Sequence, residues 1–301
     1  MTTLANPSFT TLISVAQLQA LQATQAALLV FDCSFDLMKP AAGYESYLES
    51  HITGAVYANL DTDLSAKNDP NAMSGGRHPL PRREQFAAWL ASLGLTHDMQ
   101  AVVYDRQGTM VAGRLWWMLK WLGHDNVAVL DGGFPAWQAA QGALGKGSEP
   151  ALPASQYPCG LAGTSPDQLR PLAPLVNADE VAKHIGSIST AIVDARAAPR
   201  FRGEVEPLDP VAGHIPGALN RPFNTNMNTD GLMKSPSQLR EEFEVLLAGR
   251  DPAETIHHCG SGVSAIPNVL AMAVAAYGIT KLYAGSWSDW CSDASRPTAK
   301  G

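Results

Sequence analysis

Positive charge is scarce in this sequence and comes late. The first Lys or Arg is Lys39. The amino terminus therefore lacks both the charged start of a secretory signal and the Arg-rich pattern of a transit peptide, and the mature chain is expected to start near Met1. Long apolar runs are also missing; the nearest, residues 115–122, is broken by Lys120 and is too short to cross a bilayer. Cysteine is sparse, with Cys33, Cys159, Cys259 and Cys291 the only four, and no CxxC pair or Cys/His ligand spacing joins them. That pattern fits reduced thiols in a cytosol better than a disulfide framework or a zinc site. With 21 Lys and Arg against 28 Asp and Glu, the net charge of −7 leaves no positive field to hold a nucleic acid. The densest basic group, Arg77, Arg82 and Arg83, reads as a solvated turn ahead of a helix.

What is present describes a soluble globular protein: 301 residues, 46% hydrophobic and 16% charged, a length that fits two domains. The two halves repeat one another. A β-rich run ending in an acid occurs as Ala27-Leu-Leu-Val-Phe-Asp32 and as Thr190-Ala-Ile-Val-Asp194. Next come His51-Ile-Thr-Gly-Ala55 and His214-Ile-Pro-Gly-Ala218, then the apolar strands Ala101-Val-Val-Tyr-Asp105 and Thr255-Ile-His-His-Cys259. A Gly-x-x-x-Trp element closes the first half at Gly133–Trp137, and a similar one lies near Gly285–Trp290. The matches keep their order at nearly constant separation, with one step that a loop deletion explains. Residues 146–174, dense in Gly, Pro, Ala and Ser, read as a linker between domains 1–145 and 175–301.

Within each half, short apolar strands alternate with helical stretches, expected over 82–93, 113–122 and 237–247. The alternation predicts an α/β fold, each domain a mainly parallel sheet flanked by helices. Ligands bind such sheets at the carboxyl ends of strands, which points to the ends of 101–104 and 255–258.

At the second of these the chain reads Cys259-Gly-Ser-Gly-Val-Ser-Ala265, followed by an apolar helix expected to reach about Tyr277. Two glycines let successive N–H groups turn toward one point, and the helix adds its own unpaired donors. Such a cradle favours a thiolate nucleophile at Cys259. Phosphate-ester and sulfur chemistry both use this arrangement. A Cys-based phosphatase needs an Arg after five intervening residues, and Ala265 stands there, so the loop favours a smaller anion such as a persulfide, held by backbone N–H groups and the hydroxyls of Ser261 and Ser264.

The paired His-Ile-x-Gly-Ala elements, Val129-Leu-Asp-Gly-Gly-Phe-Pro-Ala-Trp137, Val193-Asp-Ala-Arg196 and the Cys259 loop together resemble the two-domain sulfurtransferases of the rhodanese superfamily. The resemblance implies tandem rhodanese-like domains, with Asp105 standing opposite Cys259 in a non-catalytic first domain. The loop is most similar to that of the 3-mercaptopyruvate branch, whereas the thiosulfate branch commonly carries basic residues just after the Cys. By position, the resemblance implies a relay of Ser261, His78 and Asp61 beside Cys259, and substrate contacts from Arg200 and from Gly260, Ser261, Gly262, Val263 and Ser264. A second Arg frequent in that branch is absent, with Leu208 near its place and Arg202 a possible substitute.

Four other groups read as structural. They are His51 and His214, which occur in both repeats; His257 and His258, on a buried strand with one able to reach the thiolate; Trp287 and Trp290; and an Asp194–Arg196 ion pair. Cys33, Cys159 and Cys291 read as bystanders. The expected function is a cytoplasmic sulfurtransferase that needs no metal or organic cofactor, taking sulfur from 3-mercaptopyruvate to cyanide, a thiol or thioredoxin, with no nucleic-acid or membrane partner. Thiosulfate:cyanide sulfur transfer, or a persulfide carrier with little turnover of small donors, are the alternatives.

Overall fold

The structure is a computed structural model that describes residues 8–150, 152–158 and 170–301. It divides into two compact units. One holds the chain up to Asp63 together with Arg83–Leu172; the other holds Leu64–Arg82 and Ala173–Gly301. The second unit is thus discontinuous, because residues 64–82, read from the sequence as part of the first domain, cluster with the carboxyl-terminal half.

Each unit is built on a five-stranded parallel sheet. In the first, the strand order is Leu12–Ile13, Val127–Leu130, Gln100–Tyr104, Leu28–Asp32, Ala55–Tyr57. In the second it is Leu175–Val176, Lys281–Tyr283, Ile256–His258, Ile192–Asp194, Leu219–Asn220. The orders correspond strand for strand, so the sequence repeat is a repeat of topology. The central strand of one sheet runs into Asp105, and that of the other runs into Cys259.

The local reasons are in the residues. Leu29–Asp32 and Gln100–Tyr104 are buried, as strands covered on both faces must be, and they read as near-continuous apolar runs. Pro236–Leu247 begins with Ser235, whose hydroxyl accepts from the Gln238 N–H, and with Pro236, whose missing N–H costs nothing in a first turn. Leu239, Phe243 and Leu247 then fall four apart and are buried on one face. Met110–Leu122 is apolar around most of its circumference and almost wholly buried; it ends at Gly123, which takes φ +101°. Its one lysine, Lys120, donates to the Asp125 carbonyl at 2.7 Å and pairs with the Asp125 carboxylate; burial lowers its pKa.

Phe243 packs with no exposed surface and lies under the Arg221 guanidinium, 4.3 Å from ring centre to Cζ. Phe243→Ala is expected to lose about 3–5 kcal/mol of stability in urea unfolding. Val245→Ala, on the same helix but 82% exposed, changes it by less than about 0.5 kcal/mol. Equal losses would contradict the packing.

Candidate active site

Cys259 stands where the central strand of the second unit ends, and it is 1% exposed. Its backbone is held in place by the segment after the neighbouring strand: Trp287 N–H donates to the Cys259 carbonyl, and Ser288 N–H to that of Gly260, both at 2.9 Å. Cys259 N–H donates to Ser286 Oγ at 3.1 Å, and the same hydroxyl donates to the Tyr283 carbonyl while lying 4.0 Å from Cys259 Sγ. Ser286 adopts φ +56°, a conformation that non-glycine residues rarely take and that tends to occur where surroundings fix it. Gly262 turns the loop at φ +74°, where a side chain would also collide with the Ala284 carbonyl. The helix that follows runs over Ile266–Val274, three residues short of the expected end at Tyr277.

The first unit shows what such a loop can hold. Asp105, at the matching strand end, is buried and accepts four backbone N–H groups: those of Gln107 and Thr109 at 3.0 Å, and those of Val111 and Ala112 at 2.9 Å. Burial raises its pKa and the four donors pull it down, with burial the larger effect. Gly108 at φ +75° matches Gly262, and Gly133 at φ +55° matches Ser286. A turn of this form brings N–H donors to one anion just beyond the strand. By the repeat, the corresponding groups in the second unit belong to Ser261, Val263, Ala265 and Ile266, the last of which donates to the Val263 carbonyl at 3.2 Å.

Around Cys259 the structure gathers several of the expected residues. His78 Nδ1 lies 2.8 Å from Ser261 Oγ, and both residues are buried. His78 reaches this position because residues 64–82 belong to the second unit. Asp61 belongs to the first unit, where its N–H donates to Asn59 Oδ1 at 2.8 Å. Arg200 lies beside the loop: Nε and Nη2 donate to Glu206 at 3.2 and 2.6 Å, and Nη2 also reaches Asp209 at 3.3 Å. Arg202 pairs with Glu204, with both side chains exposed, and Leu208 is 41% exposed.

Arg77 corrects a sequence reading. It was expected in a solvated turn, yet its guanidinium pairs with the Asp209 carboxylate, whose side chain is 3% exposed. The cause is local: Arg77 N–H donates to Ser288 Oγ at 3.1 Å, which anchors the turn next to the loop. Glu206, Asp209 and Ser286 were likewise missed. Adjacency to His78 was the available signal for Arg77, and alignment with Gly133 was the signal for Ser286.

The remaining candidates are packing groups. His51 Nδ1 meets the Tyr47 carbonyl and His214 Nδ1 that of Phe201, each at 2.8 Å, with the ring stacked on the same aromatic residue. Trp287 and Trp290 lie in the apolar core of the second unit. Arg196 clamps Asp194 and stacks over Trp287. Burial pushes the Asp194 carboxyl up, but His258 and Arg196 more than offset this and hold it below the usual carboxylate range. His258 lies 3.8 Å from Asp194, and His257 meets Met272 Sδ at 3.1 Å. Cys33, Cys259 and Cys291 are buried free thiols, and Cys159 lies outside the described residues.

Comparison with known proteins matches the rhodanese-like domain to residues 14–140 and again to residues 177–293. The chain belongs to the rhodanese family. Among its relatives is a Pseudomonas aeruginosa protein named "Probable 3-mercaptopyruvate sulfurtransferase", 44% identical, the match covering 95% of this chain and 97% of that one. A Mycobacterium tuberculosis relative with a provisional designation as a thiosulfate sulfurtransferase is 36% identical, over 96% of this chain and 97% of its own. Among rhodanese-fold structures, SseA from Escherichia coli, described as a 3-mercaptopyruvate sulfotransferase, matches with a TM-score of 0.75 and 31% identity. That match covers 93% of this chain and all of SseA. Among the described residues, no helix of this rhodanese-family chain is long and apolar enough to cross a membrane.

His257 gives the site a pH signature. Burial lowers its pKa to about 3, whereas an unfolded chain takes up that proton near pH 6.5. Below pH 6.5 the unfolded state binds more protons, so stability falls with acidification, by about 2 kcal/mol between pH 7 and pH 5 from this group. The urea midpoint should drop over that range, and His257→Leu should show a shallower drop. An unchanged slope in the variant would contradict the assignment.

Proposed function

We propose that the chain is a sulfurtransferase that moves the sulfane sulfur of 3-mercaptopyruvate through a Cys259 persulfide to a thiophilic acceptor such as cyanide, a small thiol or thioredoxin. One observation carries this reading: a thiol opens an anion-cradling turn whose third residue, Ser261, is hydrogen-bonded to His78. The 3-mercaptopyruvate sulfurtransferase names of the Pseudomonas and Escherichia relatives support the donor. In this reading residues 175–301 form the catalytic domain and residues 1–145 a non-catalytic one, joined through residues 146–174. Asp61 is retained in the relay on its sequence position alone. Three free thiols support a reducing, cytoplasmic location.

The chemistry follows from the parts. The Cys259 thiolate attacks the sulfur of 3-mercaptopyruvate; an S–S bond forms as the C–S bond breaks, and the electron pair leaves on the enolate of pyruvate. Ser261, hydrogen-bonded to His78, delivers the proton that completes pyruvate. Arg200 holds the donor's carboxylate, and the N–H groups from Gly260 to Ser264 hold the charge on the persulfide. Cyanide then takes the outer sulfur, leaves as thiocyanate, and returns Cys259 as thiolate. Transfer from thiosulfate is the second reading, favoured by the Mycobacterium relative and by the cationic groups beside the loop.

Steady-state kcat/KM for 3-mercaptopyruvate and for thiosulfate, with cyanide as acceptor, separates the two. We expect a preference for 3-mercaptopyruvate; the reverse preference selects thiosulfate. Cys259→Ser is expected to abolish turnover with both donors, and residual activity at the wild-type level would remove Cys259 as nucleophile. His78→Asn should lower kcat with 3-mercaptopyruvate by about 100-fold, the scale of a lost proton-transfer group. An unchanged kcat would remove His78 from the chemistry.

A further inference from the structure

We infer that Asn268 is a positioning residue for the reaction: together with Asn226 it fixes the first turn of the helix that follows the Cys259 loop. The inference rests on the persulfide chemistry proposed above. Asn268 is the one polar residue in the helix Ile266–Val274, and it has no exposed surface. An amide buried among apolar side chains is disfavoured unless its donors and acceptor are used. Asn268 Nδ2 donates to the Arg221 carbonyl at 2.9 Å, and Asn268 Oδ1 accepts from Asn226 Nδ2 at 2.6 Å. Asn226, also without exposed surface, donates from Nδ2 to the Phe223 carbonyl at 3.0 Å and accepts from Arg221 Nε at 3.0 Å. These bonds close a ring through Arg221, Asn226 and Asn268, and each amide has one orientation that satisfies it.

The ring is anchored to the sheet. Arg221 N–H donates to the Asp194 carbonyl at 3.0 Å and Phe223 N–H to that of Ala195 at 3.1 Å, at the end of the strand beside the one that leads to Cys259. The helix start depends on such an anchor because Ala265, at its N-cap, has no side chain that can accept a hydrogen bond. An oxygen-bearing cap would place its own negative end at the helix start, where the anion belongs. Hydrogen bonds on the flank of the helix hold its first turn without doing so. Among the described residues, the N–H groups of Ser261, Val263 and Ala265 meet no protein acceptor. The first unit repeats the placement: Arg114 stands nine residues beyond Asp105, as Asn268 stands nine beyond Cys259, and it too has no exposed surface. Both units therefore bury a polar side chain at the same point of the helix that follows the turn.

The test separates positioning from support. Asn268→Leu keeps the approximate shape of the side chain and opens the ring. It is expected to lower kcat with 3-mercaptopyruvate roughly 10- to 100-fold, the scale of a small misplacement at a reacting centre, with KM within about threefold. Alkylation of Cys259 by iodoacetamide needs no sulfur donor. It should slow by about tenfold, because donors that no longer converge favour the thiolate less; a site that had merely loosened would react faster. Leu239→Ala, which removes packing from the helix Pro236–Leu247 but no bond of the ring, should leave both rates within about twofold at a temperature where it is folded. Asn226→Ala opens the ring and keeps the Asn268 bond to Arg221, so both of its rates should fall between those of Asn268→Leu and wild type. A kcat or an alkylation rate within about twofold of wild type in Asn268→Leu would overturn the proposal, as would faster alkylation, a loss confined to KM, or a loss that Leu239→Ala reproduces. Should Asn268→Leu not fold, wild-type rates in Asn226→Ala would overturn it. Wild type that fails to turn over 3-mercaptopyruvate would defeat the parent reading, and the alkylation rates would still decide for or against Asn268.

Discussion

A negative charge at the carboxyl end of a buried parallel strand must be met by hydrogen-bond donors, because the apolar layers on either side offer none. Both units meet this requirement with the same glycine-bearing turn. In the first, the anion is built in: the Asp105 carboxylate receives four N–H groups and fills the turn. In the second, the strand ends in Cys259 with the same topology. The remaining features of the site follow from keeping that turn in place. Gly262 allows the bend, the Ala284–Ser288 segment closes against it, and Ser286 accepts a left-handed backbone to hold the Cys259 N–H.

A second layer of charge surrounds the turn. Asp194, Glu206 and Asp209 are almost fully buried, and each is paired with arginine: Asp194 with Arg196, Glu206 with Arg196 and Arg200, Asp209 with Arg77 and Arg200. Removing one member of such a network leaves its partner buried and uncompensated, so the group acts as a frame more than as a source of net stability. The frame decides which edges of the guanidiniums face the loop.

How much of this was legible in the sequence depends on how local the signal is. The parallel sheets were legible because Leu28–Asp32 and Ile192–Asp194 are apolar runs and because the repeat states the topology twice. The Cys259 loop was legible because a cysteine, two glycines and a helix start lie within a few residues. Arg77 was not. Its neighbours Gly75, Gly76 and Arg82 read as an ordinary turn, and only the grouping of residues 64–82 with the second unit brings it to Asp209. Ser286 was hidden for a different reason: serine gives no sign of a left-handed backbone until its surroundings are known.

That discontinuity bears on how the two repeats are inherited. The strip that carries Arg77 and His78 is encoded in the first repeat, between strands that serve the Asp105 sheet. A break between the repeats would leave the Cys259 half without His78 and Arg77, the partners of its Ser261 and Asp209. The two repeats are thus tied by more than the stretch of chain between them, since residues 64–82 are encoded inside the first and belong to the compact unit of the second.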